Sequence, residues 1–337
     1  MRKLTELNPN DKKVVVRVDW NVALGKALEV VDDTRIRRTL PTVKWLIDNG
    51  AKQITLLAHL GKFGEGKSLR GVAEYAEGLL GERIAFLETV EKCQSDTVSQ
   101  VKMLENLRVW EGEDKNDPKF TQQLADLGEV YIDEAFGEAH RESASIVGVA
   151  KLLPSYAGLN FAEEVETLNR VMSEPKRPLV VIMGGAKVED KIKLLEVFSK
   201  KAETILLGGK LANEYLANGI KLKGDARVIA PVEGDNLLDI GEETRKIFAE
   251  EIKNAGTVIW NGPMGKVEEL EYQEGTHAVY EALIANEAAY TVVGGGDTLA
   301  AIGEEAHMER IDFVSTGGGA MLKLLEKGTL PGIEVLK

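Results

Sequence analysis

Short apolar runs alternate with amphipathic stretches along almost the whole chain, and this alternation most constrains how it can fold. Runs at Val14–Val18, Gln53–Ala58, Val101–Leu104, Val130–Ile132, Leu179–Met183, Thr204–Leu207, Thr257–Trp260, Tyr290–Val293 and Phe313–Ser315 have the length of buried strands. Helical patterns fill many of the gaps: Thr34–Asn49, Leu69–Leu80, Pro118–Leu127, Ser155–Met172, Val188–Lys200, Glu242–Ala255, Thr276–Ala285 and Thr298–Ala306. Repeated strand–helix–strand units predict an α/β fold of parallel sheets flanked by helices, with right-handed crossovers. A chain of 337 residues suits about two domains. The prolines and basic residues of EPKRP (174–178) mark a boundary, and AGLNFAEEVETLNRVM before it reads as one long helix joining two α/β halves.

Composition removes several classes of function. The net charge of −13 argues against a nucleic-acid partner, which requires a basic face. No apolar run approaches the roughly 20 residues of a membrane span, and MRKLTELNPNDKK lacks the apolar stretch of a secretory signal. A single cysteine, Cys93, excludes an internal disulfide framework and points to a reducing, cytoplasmic setting. The histidines at 59, 140, 277 and 307 are too scattered to suggest a metal cluster.

One local pattern suggests a P-loop. AHLGKFGEGKSL (58–69) carries Gly61, Gly66, Lys67 and Ser68 in the spacing G-x-x-x-x-G-K-[ST], between a strand candidate and a helical pattern. EVYIDEAFG (129–137) supplies a strand ending in Asp133-Glu134, as a magnesium site of that class would need. Against this stands the distribution of glycine in the second half. GGAK (184–187), GGK (208–210), NGPMG (261–265), GGGD (294–297) and TGGGA (316–320) each follow a strand candidate. In an open parallel sheet such loops share one edge, where ligands bind. Glycine lets backbone amides approach phosphate, and helix N-termini add a favourable dipole. Lys187 and Lys191, four residues apart, share one helical face beside such a turn. Asp297 offers either a magnesium ligand or a helix N-cap. In the first half Arg17, Arg35, His59, Lys62, Arg108, His140 and Arg141 lie at or near strand ends, cations suited to a phosphorylated carboxylate.

The ordered set VRVDWNV (16–22), DDTRI (32–36), HLG (59–61), LENLR (104–108), DEAFGEAHR (133–141), GGAKVEDKI (184–192), WNGPMG (260–265), GGGDT (294–298) and STGGGA (315–320) resembles phosphoglycerate kinase over nearly the whole chain. The resemblance implies two Rossmann-like domains separated by a cleft: residues 1–154 for 3-phosphoglycerate, an interdomain helix at 155–173, and residues 174–324 for Mg-ATP or Mg-ADP. Residues 325–337 would return to the first domain. By the same resemblance Asp19, Asn21, Arg35, His59, Lys62, Arg108 and Arg141 bind the triose. Gly185, Ala186, Lys187, Lys191, Gly209, Asn261, Pro263, Glu268, Gly295, Gly296, Asp297, Thr298, Gly317 and Gly318 form the nucleotide site, with Asp297 as the Mg²⁺ ligand. Arg35, Lys187, Gly296 and Gly319 would act on the transferring group. The reaction is reversible transfer between ATP and the carboxylate of 3-phosphoglycerate, in a monomer, with hinge closure. Gly66-Lys67-Ser68 is then a coincidence.

The chain departs from the family pattern in places. It is short between Gly219 and Asp239, where a further helix and strand are expected. Lys62-Phe63 replaces an arginine–proline pair, Lys210 a third glycine, Lys266-Val267 an apolar–aromatic pair and Met321 a small polar residue. Two alternatives therefore stay open: a compact relative that binds nucleotide or triose but catalyses poorly, and a P-loop NTPase using Gly61–Ser68.

Overall fold

The structure, a computed structural model, describes residues 1–186, 188–233, 237–303 and 308–337. It divides into two units, Met1–Val165 with Thr329–Lys337, and Glu166–Gly328.

The first unit is built on strands β1 (Lys13–Val18), β2 (Gln53–Leu57), β3 (Ile84–Leu87), β4 (Val101–Leu104), β5 (Val130–Glu134) and β6 (Ser155–Ala157). They form one parallel sheet in the order β3-β4-β2-β1-β5-β6. Helices α1 (Thr34–Asp48), α2 (Arg70–Leu80), α3 (Val90–Ser95), α4 (Glu111–Asp114), α5 (Pro118–Ala125) and α6 (Val149–Leu152) connect them. Val14, Val16, Val18, Ile54 and Leu56 point into one core, Val15, Leu57 and Tyr131 into the other, as the twofold alternation of a strand requires. The chain runs from β1 through β2 and out to β3, then returns across β1 to add β5. Between β1 and β5 the direction of winding therefore reverses, and open parallel sheets bind their ligands at such a switch point.

The division between units falls inside α7 (Leu159–Ser173). Its N-terminus is held by Glu134, whose carboxylate accepts from the amides of Asn160 and Phe161 at 3.0 Å each and from the Thr42 hydroxyl at 2.8 Å. Asp133-Glu134, the pair a P-loop enzyme would place on magnesium, is thus half helix anchor. Residues 155–157, read from sequence as the start of this helix, are instead the edge strand β6, because the helix begins only after Gly158.

The second unit repeats the plan. Strands β7 (Leu179–Met183), β8 (Thr204–Leu207), β9 (Arg227–Ile229), β10 (Thr257–Asn261), β11 (Tyr290–Gly294) and β12 (Phe313–Ser315) form a parallel sheet in the order β12-β11-β10-β7-β8-β9. Helices α8 (Glu189–Ser199), α9 (Gly209–Ala217), α10 (Glu242–Lys253), α11 (Glu274–Ala285), α12 (Gly296–Ile302) and α13 (Gly318–Lys327) accompany them. Here the winding reverses between β7 and β10. The shortened stretch after α9 still contributes the edge strand β9, and the approach to it is tight. A Cβ on Gly224 would sit 1.9 Å from the Ser199 carbonyl oxygen.

Helix α13 runs to Lys327, so the segment that returns to the first unit begins at Thr329 rather than Leu325. It carries α14 (Pro331–Glu334) and buries Leu330, Ile333 and Leu336. The amide of Gly332 donates to the Ala139 carbonyl at 2.8 Å, and the Leu336 carbonyl accepts from Arg2.

Candidate active site

In the first unit the sequence-predicted residues gather at the carboxyl ends of β1, β2, β4 and β5. Arg35, in the first turn of α1, donates through Nη1 to both carboxylate oxygens of Asp19, at 2.8 and 2.9 Å. The Asp19 charge holds the Arg35 guanidinium above its ordinary pKa. Asn21 accepts the Gly61 amide at 2.9 Å, joining the loops that follow β1 and β2. Arg108 follows β4 and Arg141 follows β5. Both pair with Glu138, at 3.6 and 2.7 Å. Arg108 also donates to Asp114 at 2.8 Å. Lys62 is exposed in the turn beside Glu65, outside this group of paired side chains.

Two of the expected cations are something else. His59 is buried and its pKa is driven down to about 2, first by burial and then by Arg17, Arg108, Arg141 and Arg35. Arg17 lies 2.9 Å from Nδ1 of His59. An arginine can only donate, so Nδ1 accepts and the proton sits on Nε2. His59 is a neutral donor at pH 7, not a cation. Arg17 itself is 1 % exposed, and it donates to Ser145 Oγ at 2.8 Å and the Val18 carbonyl at 2.6 Å as well. It lies beneath the site and orients His59.

The P-loop reading fails on geometry. Lys67 turns onto Glu65 at 2.9 Å, and the Ser68 hydroxyl donates to Glu105 at 2.7 Å. Glu105 also accepts the Leu69 amide, where a P-loop would present that helix start to phosphate. Asn106 completes the restraint. Its side chain accepts from Leu60 and donates to the carbonyls of Leu60 and Lys67. The segment is a turn clamped by LENLR. That role for Asn106 is invisible in sequence, because its partners lie 39 and 46 residues away.

In the second unit a cavity of about 610 Å³ opens beside the glycine turns. Gly185, Ala186, Gly209, Pro263, Glu268 and Asp297 line it, together with Lys210, Lys266, Val267, Leu237 and Leu238. Leu237 is fixed by Asn213, which accepts its amide and donates to its carbonyl. The trimmed segment therefore still supplies a wall. Lys187 lies outside the described residues.

The glycines divide into two kinds. Gly184, Gly185 and Gly209 spend their amides on Asn261, Pro263 and Met264 at 3.1, 2.8 and 2.7 Å. A Cβ on Gly184 would stand 2.1 Å from the Pro263 carbonyl oxygen, so these turns are glycine-rich chiefly to pack on one another. Gly318 likewise abuts Gly295, and Met321 fills the space over Gly294. Gly296 and Gly319, at the starts of α12 and α13, face open space. Gly317 immediately precedes α13, and Gly295, at φ +105°, immediately precedes α12. Lys191, Asn261 and Thr298 lie under the turns: Lys191 Nζ donates to the Gly184 carbonyl at 2.5 Å, Asn261 to Gly294, and Thr298 Oγ1 accepts the Gly262 amide.

Asp297 is exposed at the cavity wall. Among the described residues no group of three or more His, Cys, Asp or Glu side chains could enclose a metal. One exposed carboxylate beside a nucleotide-sized cavity suits Mg²⁺, which keeps waters and shares its coordination with substrate phosphates.

Comparison with known proteins decides the family. The model of the family described as phosphoglycerate kinase matches residues 4–228 and 223–328.

The chain belongs to the phosphoglycerate kinase family.

The two matched stretches overlap at the shortened region. The phosphoglycerate kinase of Thermus thermophilus is 40 % identical over 394 aligned positions covering all of both chains, and that of Moorella thermoacetica is 39 % identical over 396. Both alignments are longer than the 337 residues here, so both relatives carry insertions that this chain lacks. Among solved structures, phosphoglycerate kinase from Coxiella burnetii is 31 % identical with a TM-score of 0.85, covering 99 % of this chain and 98 % of that one. The enzyme from Pyrococcus horikoshii is 28 % identical with a TM-score of 0.88, covering 100 % and 98 %.

Proposed function

We propose that the chain catalyses reversible phosphoryl transfer between ATP and the carboxylate of 3-phosphoglycerate, giving 1,3-bisphosphoglycerate and ADP. The observation that carries this reading is the cation cluster of the first unit, in which Arg35, Arg108 and Arg141 converge at one sheet edge with a neutral His59. The acceptor carboxylate is ionised at neutral pH and needs no general base. Accordingly, the nearby carboxylates of Asp19 and Glu138 serve as counter-ions to arginines.

Asn21, His59, Lys62, Arg108 and Arg141 would hold the triose, and Asp19 would aim Arg35 at the transferring group. Gly185, Ala186, Gly209, Pro263 and Glu268 would hold the nucleotide. Gly296 and Gly319, at helix starts, would present their amides to phosphate, with Gly295, Gly317 and Gly318 shaping those turns. Lys191, Asn261 and Thr298 would keep the turns in register, and Lys187 would add a cation. Mg²⁺ held by Asp297 and the nucleotide would neutralise phosphate charge. What remains for the protein is positioning, charge neutralisation and exclusion of water by hinge closure. A coupled assay for ATP-dependent 1,3-bisphosphoglycerate formation tests this. Triose-dependent turnover is expected. Binding of both ligands without turnover, or ATP hydrolysis without triose, would overturn it.

A further inference from the structure

Glu138 is a buried charged group of the first unit that takes no part in the phosphoryl transfer itself. It lies in the single turn Phe136–Glu138 after β5 and is 7 % exposed. Its Oε2 accepts from Arg141 Nε at 2.7 Å and lies 3.6 Å from Arg108 Nη2, while Oε1 lies 3.8 Å from His59 Nε2. Arg17 and Asp19 at the end of β1, Arg35 on α1 and Asp133 on β5 complete its charged surroundings. Two arginines and a histidine N–H around one carboxylate are also what an incoming phosphate or carboxylate would require.

We infer that Glu138 is a resident counter-ion of the triose site: in the ligand-free chain its carboxylate occupies the anion position formed by Arg108, Arg141 and His59, and an anionic ligand binds by displacing it. The inference rests on the reading of the first unit as the triose-binding half.

The geometry favours displacement over a permanent pair. The short contact is to Arg141, whose side chain is 46 % exposed and sits in the same loop three residues on. The contacts to Arg108, whose side chain is 10 % exposed, and to the buried, neutral His59 exceed hydrogen-bond length, so they are long-range electrostatic contacts only. Arg108 Nε is buried without a hydrogen-bond partner, a donor that a phosphate oxygen would satisfy. Burial, with Asp19 adding to it, pushes the Glu138 carboxyl above its ordinary pKa, so its ionised form is poorly matched to the place it fills. A phosphate carrying up to two charges is the better tenant. The counter-ion thus sets a threshold: strongly charged ligands displace it and weakly charged ones do not.

Glu138→Gln preserves shape and removes the charge. Wild type and variant are titrated by calorimetry with 3-phosphoglycerate, with inorganic sulfate and, as a control, with Mg-ADP. The variant is expected to bind triose and sulfate at least about fivefold tighter, the effect of losing one like charge some 4 Å away even under full aqueous screening. Mg-ADP affinity should be unchanged. Equal or weaker triose binding by a folded Glu138→Gln overturns the inference, since a purely structural carboxylate would loosen Arg108 and Arg141 when removed. Glu138→Ser, which removes charge and bulk together, carries the same expectation and serves if the glutamine variant does not fold. Wild-type turnover in the coupled assay with no gain in either variant rejects the counter-ion alone. A wild type that neither binds nor turns over triose rejects the triose reading, and this inference with it.

Discussion

One nitrogen of Arg35, Nη1, bridges both oxygens of Asp19, at 2.8 and 2.9 Å, with the Asp19 side chain 5 % exposed and the Arg35 side chain 31 % exposed. The buried partner therefore dictates the direction of the accessible one. We expect Arg35→Ala to lower turnover by about 10³-fold or more, the scale seen when an arginine that neutralises a transferring phosphoryl group is removed. Mg-ADP affinity, read by calorimetry, should survive. Asp19→Ala should cost about 10²-fold through misplacement alone. Near-normal turnover of Arg35→Ala would remove this residue from the reaction.

Asp297 stands exposed beside the cavity of the second unit. Asp297→Ala is expected to weaken Mg-ADP binding while 3-phosphoglycerate binding holds, and raising Mg²⁺ should recover part of the loss. Calorimetry giving an unchanged Mg-ADP affinity would take the metal away from this side chain.

Lys67 is the lysine that a P-loop would require, yet it pairs with Glu65 on the surface, where such a bridge contributes at most about 1 kcal/mol. Lys67→Ala should keep ATP-dependent turnover within about twofold of wild type. Abolished turnover would return the turn at Gly61–Ser68 to the active site.

Asp133 is fully buried, and Oδ2 has no hydrogen-bond partner. Burial is the main reason its pKa rises from 3.8 to about 7. Between those values the folded chain holds a proton that the unfolded chain has released, so this group makes stability fall as pH rises through that window. Asp133→Asn removes the titration. Its melting temperature relative to wild type should therefore climb from pH 4 to pH 7 and level off above. A difference independent of pH would show that Asp133 does not titrate there.

Gly332 lets the returning tail touch the loop that carries Glu138 and Arg141. A Cβ at this position would lie 3.0 Å from the Ala139 Cα and 3.1 Å from its Cβ. Gly332→Val should cost about 1–3 kcal/mol in urea denaturation, the usual range for overpacking, and should weaken triose binding. If stability falls while triose affinity is unchanged, the tail supports the fold but not the site.

The strands legible in the sequence are mostly the interior ones. Val14–Val18 and Leu179–Met183 are covered on both faces and so read as unbroken apolar runs. Ile84–Leu87, Ser155–Ala157 and Arg227–Ile229 went unread. All three are edge strands, short and partly exposed, and their pairing comes from one neighbour rather than from their own composition. The arginines of the first unit and the glycine turns of the second were legible as residue types at strand ends. Glu138, Asn106 and Glu134 were not, since nothing local distinguishes them from surface polar residues.

By itself the sequence determined the parallel α/β plan, the family and the residues gathered at each sheet edge, because strand and helix periods and motif order are local properties of the chain. Only the tertiary structure decided that His59 is a neutral donor, that Arg17 is buried against it, that Asp133-Glu134 is buried with Glu134 holding a helix start, and that Glu138 sits among Arg108, Arg141 and His59. Charge state and hydrogen-bond partnership are sums over groups brought together from distant positions, such as Arg17 with Ser145 or Glu134 with Thr42, 128 and 92 residues apart. Burial then multiplies the effect of each such neighbour.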